Sequence, residues 1–199
     1  KALGELLVAT DDPAIFGAIL DAVEANPHEQ ALKYLLKVLE DERGQQERVL
    51  GAISQIGGKA VRALKTHFER VSSSTQRKML AALPRIRTGP AHAFLIDCYF
   101  SPDPELIRAA VHALREEIHR YEARERKDLY QRLTAALKER RLKNNEGALS
   151  AIIISLGMLA NGRCKGKLLP YVKEEWPVQI RRHALMSLAR LEYVGDKHS

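Results

Sequence analysis

The sequence predicts an all-α protein assembled from a repeated helix–turn–helix unit, and three observations carry that expectation. Only 12 Gly and 8 Pro fall among 199 residues, and runs of Val and Thr are few, which favours helices over strands. Five stretches share one apolar stripe at helical spacing. No strand pair is evident. A composition of 45% hydrophobic and 29% charged residues excludes a disordered chain, and the length suffices for a packed core. Apolar runs such as Ala151 to Ile154 are far too short to span a bilayer.

The stripe emerges when the stretches are aligned on Ile53, Leu83, Leu114, Leu156 and Leu188, which stand 30, 31, 42 and 32 residues apart. Four residues before each stand Val49, Met79, Ala110, Ile152 and Ala184; three before stand Leu50, Leu80, Val111, Ile153 and Leu185. Three after stand Ile56, Ile86, Glu117, Leu159 and Leu191, with Glu117 the one breach. Immediately before the anchor the residue is always small: Ala52, Ala82, Ala113, Ser155 and Ser187. At roughly 100° per residue these offsets make one face of a helix. The small residue flanks that face, where a neighbouring backbone can come close.

The remaining elements follow in order. Pro13 to Ala25 and His28 to Leu39 read as helices before the first anchored one. Lys59 to Val71, Pro90 to Phe100, Arg124 to Leu142 and Lys165 to Glu174 read as helices between the anchored ones. Ser73, Ser74, Thr75 and Asp103 suit helix starts, Asn144-Asn145 separates two helices, and Trp176-Pro177 opens the last. Gly57-Gly58, Gly89 and Gly162 suit helix ends. A unit of about 30 residues cannot bury its apolar face alone, so stacked copies are expected to share one core.

Charge is uneven. Residues 1–60 carry 6 basic and 10 acidic side chains, net −4, and residues 61–199 carry 26 and 15, net +11. The asymmetry favours an acidic partner, either nucleic acid or an acidic protein surface. Solvation of a helical surface by Lys and Arg is the plainer reading. Two cysteines, Cys98 and Cys164, make no disulfide framework and suit reduced thiols in a cytoplasmic, reducing setting. The chain begins at Lys1, and Ala2 to Leu6 reads as the end of a further helix, so residues 1–199 are expected to be one repeat domain from a longer chain.

Two segments are similar to HEAT-repeat proteins of the phycobilisome-lyase type. Lys167 to Val172 resembles that family's first-helix signature, and Val178 to Leu188 its second-helix pattern. Ser101 to Pro104 with Ile107 to Leu114 is a second such copy, and the resemblance covers residues 28–193. It implies a right-handed α-solenoid of stacked antiparallel helix pairs, HEAT- or armadillo-like. Residues 13–41 fit either a three-helix armadillo-like unit or a merged repeat. In such stacks the second helices line a concave face. The offsets opposite the core stripe then give Arg48, Lys78, Arg85, His112, Glu116, Ile154, Met158, His183, Met186 and Arg190, with Gly51, Gln55, Ala81, Ala109 and Ala151 between them. Exposed Ile and Met beside Arg suit a peptide or helix of a partner. Ala151→Glu or Ile154→Arg is expected to impair partner capture more than folding.

Chemistry has fewer footholds. His112, Glu116 and His119 share a helix face and resemble part of a zinc or iron site, but no further ligands are obviously spaced to complete it. His28-Glu29 is one His-Glu pair where HEAT-like deoxyhypusine hydroxylases need several. Arg120 to Lys143 has 9 basic and 4 acidic residues, able to meet phosphates or to form pairs such as Glu122–Arg126. DNA glycosylases of this architecture want groove aromatics and a carboxylate near a flipped base, and the groove row has no aromatic. Gly162 to Lys167 is a basic turn without phosphate-loop spacing, and Cys164, between Arg163 and Lys165, is expected to have a lowered pKa. The function expected is therefore a non-catalytic protein-binding scaffold with no metal or cofactor, nucleic-acid binding being the alternative.

Overall fold

The computed structural model describes residues 2–41 and 45–195, with side chains through residue 193. The expectation of one domain over residues 1–199 thus includes positions outside the described residues. Every regular element among the described residues is helical. In order these are α1 (Ala2–Ala9), α2 (Pro13–Ala25), α3 (Leu32–Glu40), α4 (Gln46–Gln55), α5 (Gly58–Phe68), α6 (Ser73–Leu80), α7 (Leu83–Ile86), α8 (Gly89–Cys98), α9 (Pro104–Glu117), α10 (Ala123–Ala136), α11 (Glu146–Met158), α12 (Lys165–Leu168) and α13 (Val178–Gly195). Short 3-10 turns at Glu29–Ala31, Ile118–Arg120, Arg140–Leu142, Gly162–Cys164 and Leu169–Val172 join them.

The chain forms two compact units, Lys1–Phe94 and Leu95–Ser199, with the division inside α8. In the first unit α1 packs on α3 and α3 on α6, while α2 packs on α4 and α4 on α7. In the second, α9 packs on α11 and α11 on α13, with α10 also on α11 and α12 on α13. Within each unit, therefore, a helix meets helices beyond its immediate neighbour in sequence.

The apolar stripe is the core of both units. All five residues four before the anchor are buried, as are all five small residues just before it. Glu117, the breach in the pattern, is buried too and forms an ion pair with Arg120 at 3.3 Å. The stripe opens at its last copy, where Leu185 is exposed and Leu188 half-buried.

Helix boundaries depart from expectation where local chemistry intervenes. The helix around Leu83 is broken into α6 and α7, with Pro84 in the first turn of α7; proline lacks an N–H and its ring crowds the carbonyl four residues back. The predicted Arg124–Leu142 helix stops at Ala136, and Lys165–Glu174 shrinks to α12 and a 3-10 turn containing Pro170. Gly89 and Gly162 begin elements rather than end them; the left-handed residues are Arg87 (φ 53°), Asn144 (φ 64°) and Ala160 (φ 50°). Gly57 does turn the chain between α4 and α5, at φ 71°. Asp103 and Asn145 cap α9 and α11, their Oδ1 atoms accepting from Glu105 N (2.9 Å) and Ala148 N (2.9 Å). Ser72, one residue earlier than predicted, caps α6 by accepting from Thr75 N at 3.3 Å.

Helices α11 and α13 pack closely. Ser187 Oγ donates to the Ile153 carbonyl at 3.1 Å. A Cβ placed on Gly157 would lie 2.6 Å from the Ser187 Cβ and 2.9 Å from its Cα. Gly157→Ala is therefore expected to lose about 1–3 kcal/mol of stability, read as a lower denaturant midpoint. Gly162→Ala, with nothing within 4 Å of the added methyl, should change it by less than about 0.5 kcal/mol.

Candidate functional site

Within each unit the predicted groove residues meet different surroundings. In the first unit the arginines are occupied by neighbouring helices. Arg48 of α4 pairs with Asp21 and with Glu24 of α2, the latter at 3.5 Å. Arg85 of α7 pairs with Glu47 of α4 at 2.6 Å, and Lys78 is half-buried. These pairs join α2, α4 and α7, the same helices that pack on one another.

In the second unit, His112 and Glu116 are exposed, with His112 Nε2 3.9 Å from Glu116 Oε1. No group of three or more His, Cys, Asp or Glu able to hold a metal occurs among the described residues. Ala151 and Met158 are corrections: they are 2% and 4% exposed, and belong to the core. Helix α11 is apolar on nearly every side because α9, α10 and α13 all pack on it, so the face expected to line a groove is covered. Burying a glutamate at position 151 would therefore attack folding itself. Ile154 is half-buried. His183 is half-buried, its Nδ1 3.1 Å from Ser150 Oγ; desolvation first, and the charge of Arg182 second, hold its pKa below the ordinary histidine value. Met186 and Arg190 are exposed on α13.

The basic stretch from Arg120 to Lys143 uses much of its charge internally. Arg126 donates to the carbonyls of Tyr121 (2.9 Å), Leu159 (3.2 Å) and Ile118 (2.7 Å) rather than pairing with Glu122, which forms a capping box with Glu125. Arg132 pairs with Asp128 at 2.8 Å. Arg141 pairs with Asp97 at 2.7 Å and with Glu139, and its Cζ lies 4.0 Å from the Phe100 ring centroid. Cys164 is fully buried, and burial pushes its thiol up to about 11, opposite to the shift its basic neighbours suggest. Trp176 precedes α13 instead of opening it; its Nε1 donates to the Pro170 carbonyl at 3.1 Å and its ring tilts against Tyr171.

Two features went unread in the sequence. One is the outer face of α13, where Val178, Leu185 and Tyr193 are exposed beside Met186, the member of this set that the groove row did name. The other is an open cleft of about 940 Å³ in the first unit, between α5 and the Glu29–Ala31 turn with α3. Lys33, Lys59, Arg62, His67 and Arg70 line it, with Tyr34 and the buried Leu32 and Leu36. Its signal was present as Lys59, Arg62, Thr66 and Arg70 on one helical face, but it sits across the boundary between an acidic and a basic stretch and averages away.

No protein-family model matches the chain, and no curated protein matches it. Among solved structures, the chain is similar to an engineered protein at 16% identity, over 96% of this chain and 98% of that one, with a TM-score of 0.40. Among the described residues no helix is long and apolar enough to cross a membrane.

Two measurements check the electrostatics. With Cys98 and Cys164 both buried, a thiol reagent at pH 8 should label the native chain far more slowly than the denatured one, the thiolate of Cys164 being only about one part in a thousand there. His183 favours its neutral form in the folded chain, so protonation favours unfolding as pH falls through the unfolded value of about 6.5. His183→Gln should flatten that acid-side loss in a pH series of melting curves.

Proposed function

We propose that this chain is a non-catalytic protein-binding scaffold of HEAT-like helix pairs, taking an amphipathic helical segment of acidic character on the outer face of α13. The observation that carries this reading is the exposure of Leu185, at 57%. Leu50, Leu80, Val111 and Ile153 occupy the same offset in the other four copies and are all buried. Helix α13 buries Ile180, Ala184, Ser187 and Leu191, and α11 packs on it. Its other face keeps apolar residues suited to helix packing, with Met186 61% and Val178 66% exposed.

An outward face that simply ended a stack would be expected to be polar. Burying a leucine-sized side chain contributes about 1.5–3 kcal/mol, so two or three such anchors give a helix-in-groove contact useful affinity. Arg182 and Arg190, exposed on the same helix and without a described ion pair, supply the preference for carboxylates. The internal use of Arg126, Arg132 and Arg141 weakens the nucleic-acid alternative, since charges already paired release fewer counterions.

Leu185→Glu with Met186→Glu should abolish capture of the partner in a pull-down, while circular dichroism and melting temperature stay near those of the parent chain. Retained capture would remove α13 as the site, and an unfolded double variant would show these residues to be core. Duplex-DNA binding that falls steeply between about 50 and 200 mM salt and survives the double substitution would replace this reading with nucleic-acid recognition.

A further inference from the structure

We propose that the cleft between α3 and α5 binds a soluble phosphate ester carrying two or more linked phosphoryl groups. The proposal is independent of the α13 reading and concerns the first unit alone. Three observations support it. Lys59 and Arg62 lie about one turn apart on α5, and Arg70 lies just past its end on the same cleft wall. None of the three has an ion pair among the described residues, whereas Arg48 and Arg85 of the same unit both do. Cations gathered on one wall repel one another, and a compact anion relieves that repulsion.

The second observation is an orphaned atom. Nε2 of His67 is buried and has no hydrogen-bond partner, although His67 lines the cleft. Buried polar atoms are nearly always bonded. Nε2 is shielded from solvent in this conformation, so the imidazole must turn before a phosphoryl oxygen or hydroxyl can meet it.

The third is the cleft itself. Its volume of about 940 Å³ lies within the range of small-ligand sites. The Tyr34 ring gives it aromatic surface for the organic part of an ester, Lys33 Nζ stands 4.6 Å from that ring's centroid, and Glu29 is the one carboxylate in the lining. Guanidinium forks pair bidentately with phosphate oxygens. Linked phosphoryl groups put several charges on one ligand, which suits cations spread along one wall.

Isothermal titration of the intact chain at physiological salt tests this with tripolyphosphate and adenosine triphosphate as probes. A single saturable site is expected, weakened more than tenfold by Arg62→Gln with Arg70→Gln, and weakened also by His67→Phe. Arg115→Gln with Arg124→Gln, exposed in the other unit, should leave it unchanged. Circular dichroism of each variant establishes that the fold is kept. Vesicles containing a phosphoinositide bisphosphate form a further arm: tripolyphosphate-sensitive capture identifies a lipid headgroup as the ester and overturns the soluble source. Absence of saturable binding overturns the site, as does equal weakening by the Arg115 and Arg124 pair. Tighter binding of a polyglutamate peptide than of tripolyphosphate would make the cleft a peptide site instead.

Discussion

Close approach of helix backbones is the constraint on which the rest of this structure depends. One residue before each anchor, the chain never carries anything larger than serine, and all five positions are buried. Where α11 meets α13, the separation is small enough that Gly157 sits against the Cα of Ser187. Dispersion attraction falls quickly with distance, so a short interaxial gap lets each apolar side chain touch many others. The apolar stripe stabilises the fold because the small residues admit it to a neighbour, and neither pattern would suffice without the other.

Ion pairs divide the charged residues into two populations. Arg48, Arg85, Arg126, Arg132 and Arg141 are committed to carboxylates or carbonyls of the same unit. Arg126 alone bonds three carbonyls, all near segment ends, where helices leave acceptors unsatisfied. Lys59, Arg62, Arg70, Arg182 and Arg190 have no such described tie. Net charge therefore says little about which surfaces of this chain attract anions; the distinction lies in geometry between helices. A basic stretch that is conspicuous in sequence can be electrostatically quiet, while a sparse set on one wall remains available.

The helical class and the core stripe were legible because they rest on local spacing, which survives into three dimensions. Val49, Met79, Ala110, Ile152 and Ala184 are buried as their period requires. Helix ends were less legible. Gly89 and Gly162 suggested stops, yet the chain turns two residues earlier at Arg87 and Ala160, residue types that do not prefer the left-handed conformation they adopt. The surface was least legible. An angular offset on one helix predicts what points away from that helix's core face, but it cannot register a third helix arriving from elsewhere. Met158 and Ala151 are buried for that reason, and Leu185 is exposed because none of the described helices covers that side of α13.

Tyr99 and Ser155 meet hydroxyl to hydroxyl at 2.8 Å in a fully buried setting, and burial drives the phenol's pKa well above its ordinary range. Aliphatic contacts around them are tolerant of sliding, since one methyl group serves nearly as well as another. A lone polar couple is not: moving α11 along its axis by a single turn would strand both oxygens in an oily medium. The couple thus acts as a detent, selecting one alignment from several of comparable greasiness and giving the second unit a unique interior instead of a family of near-equivalent ones.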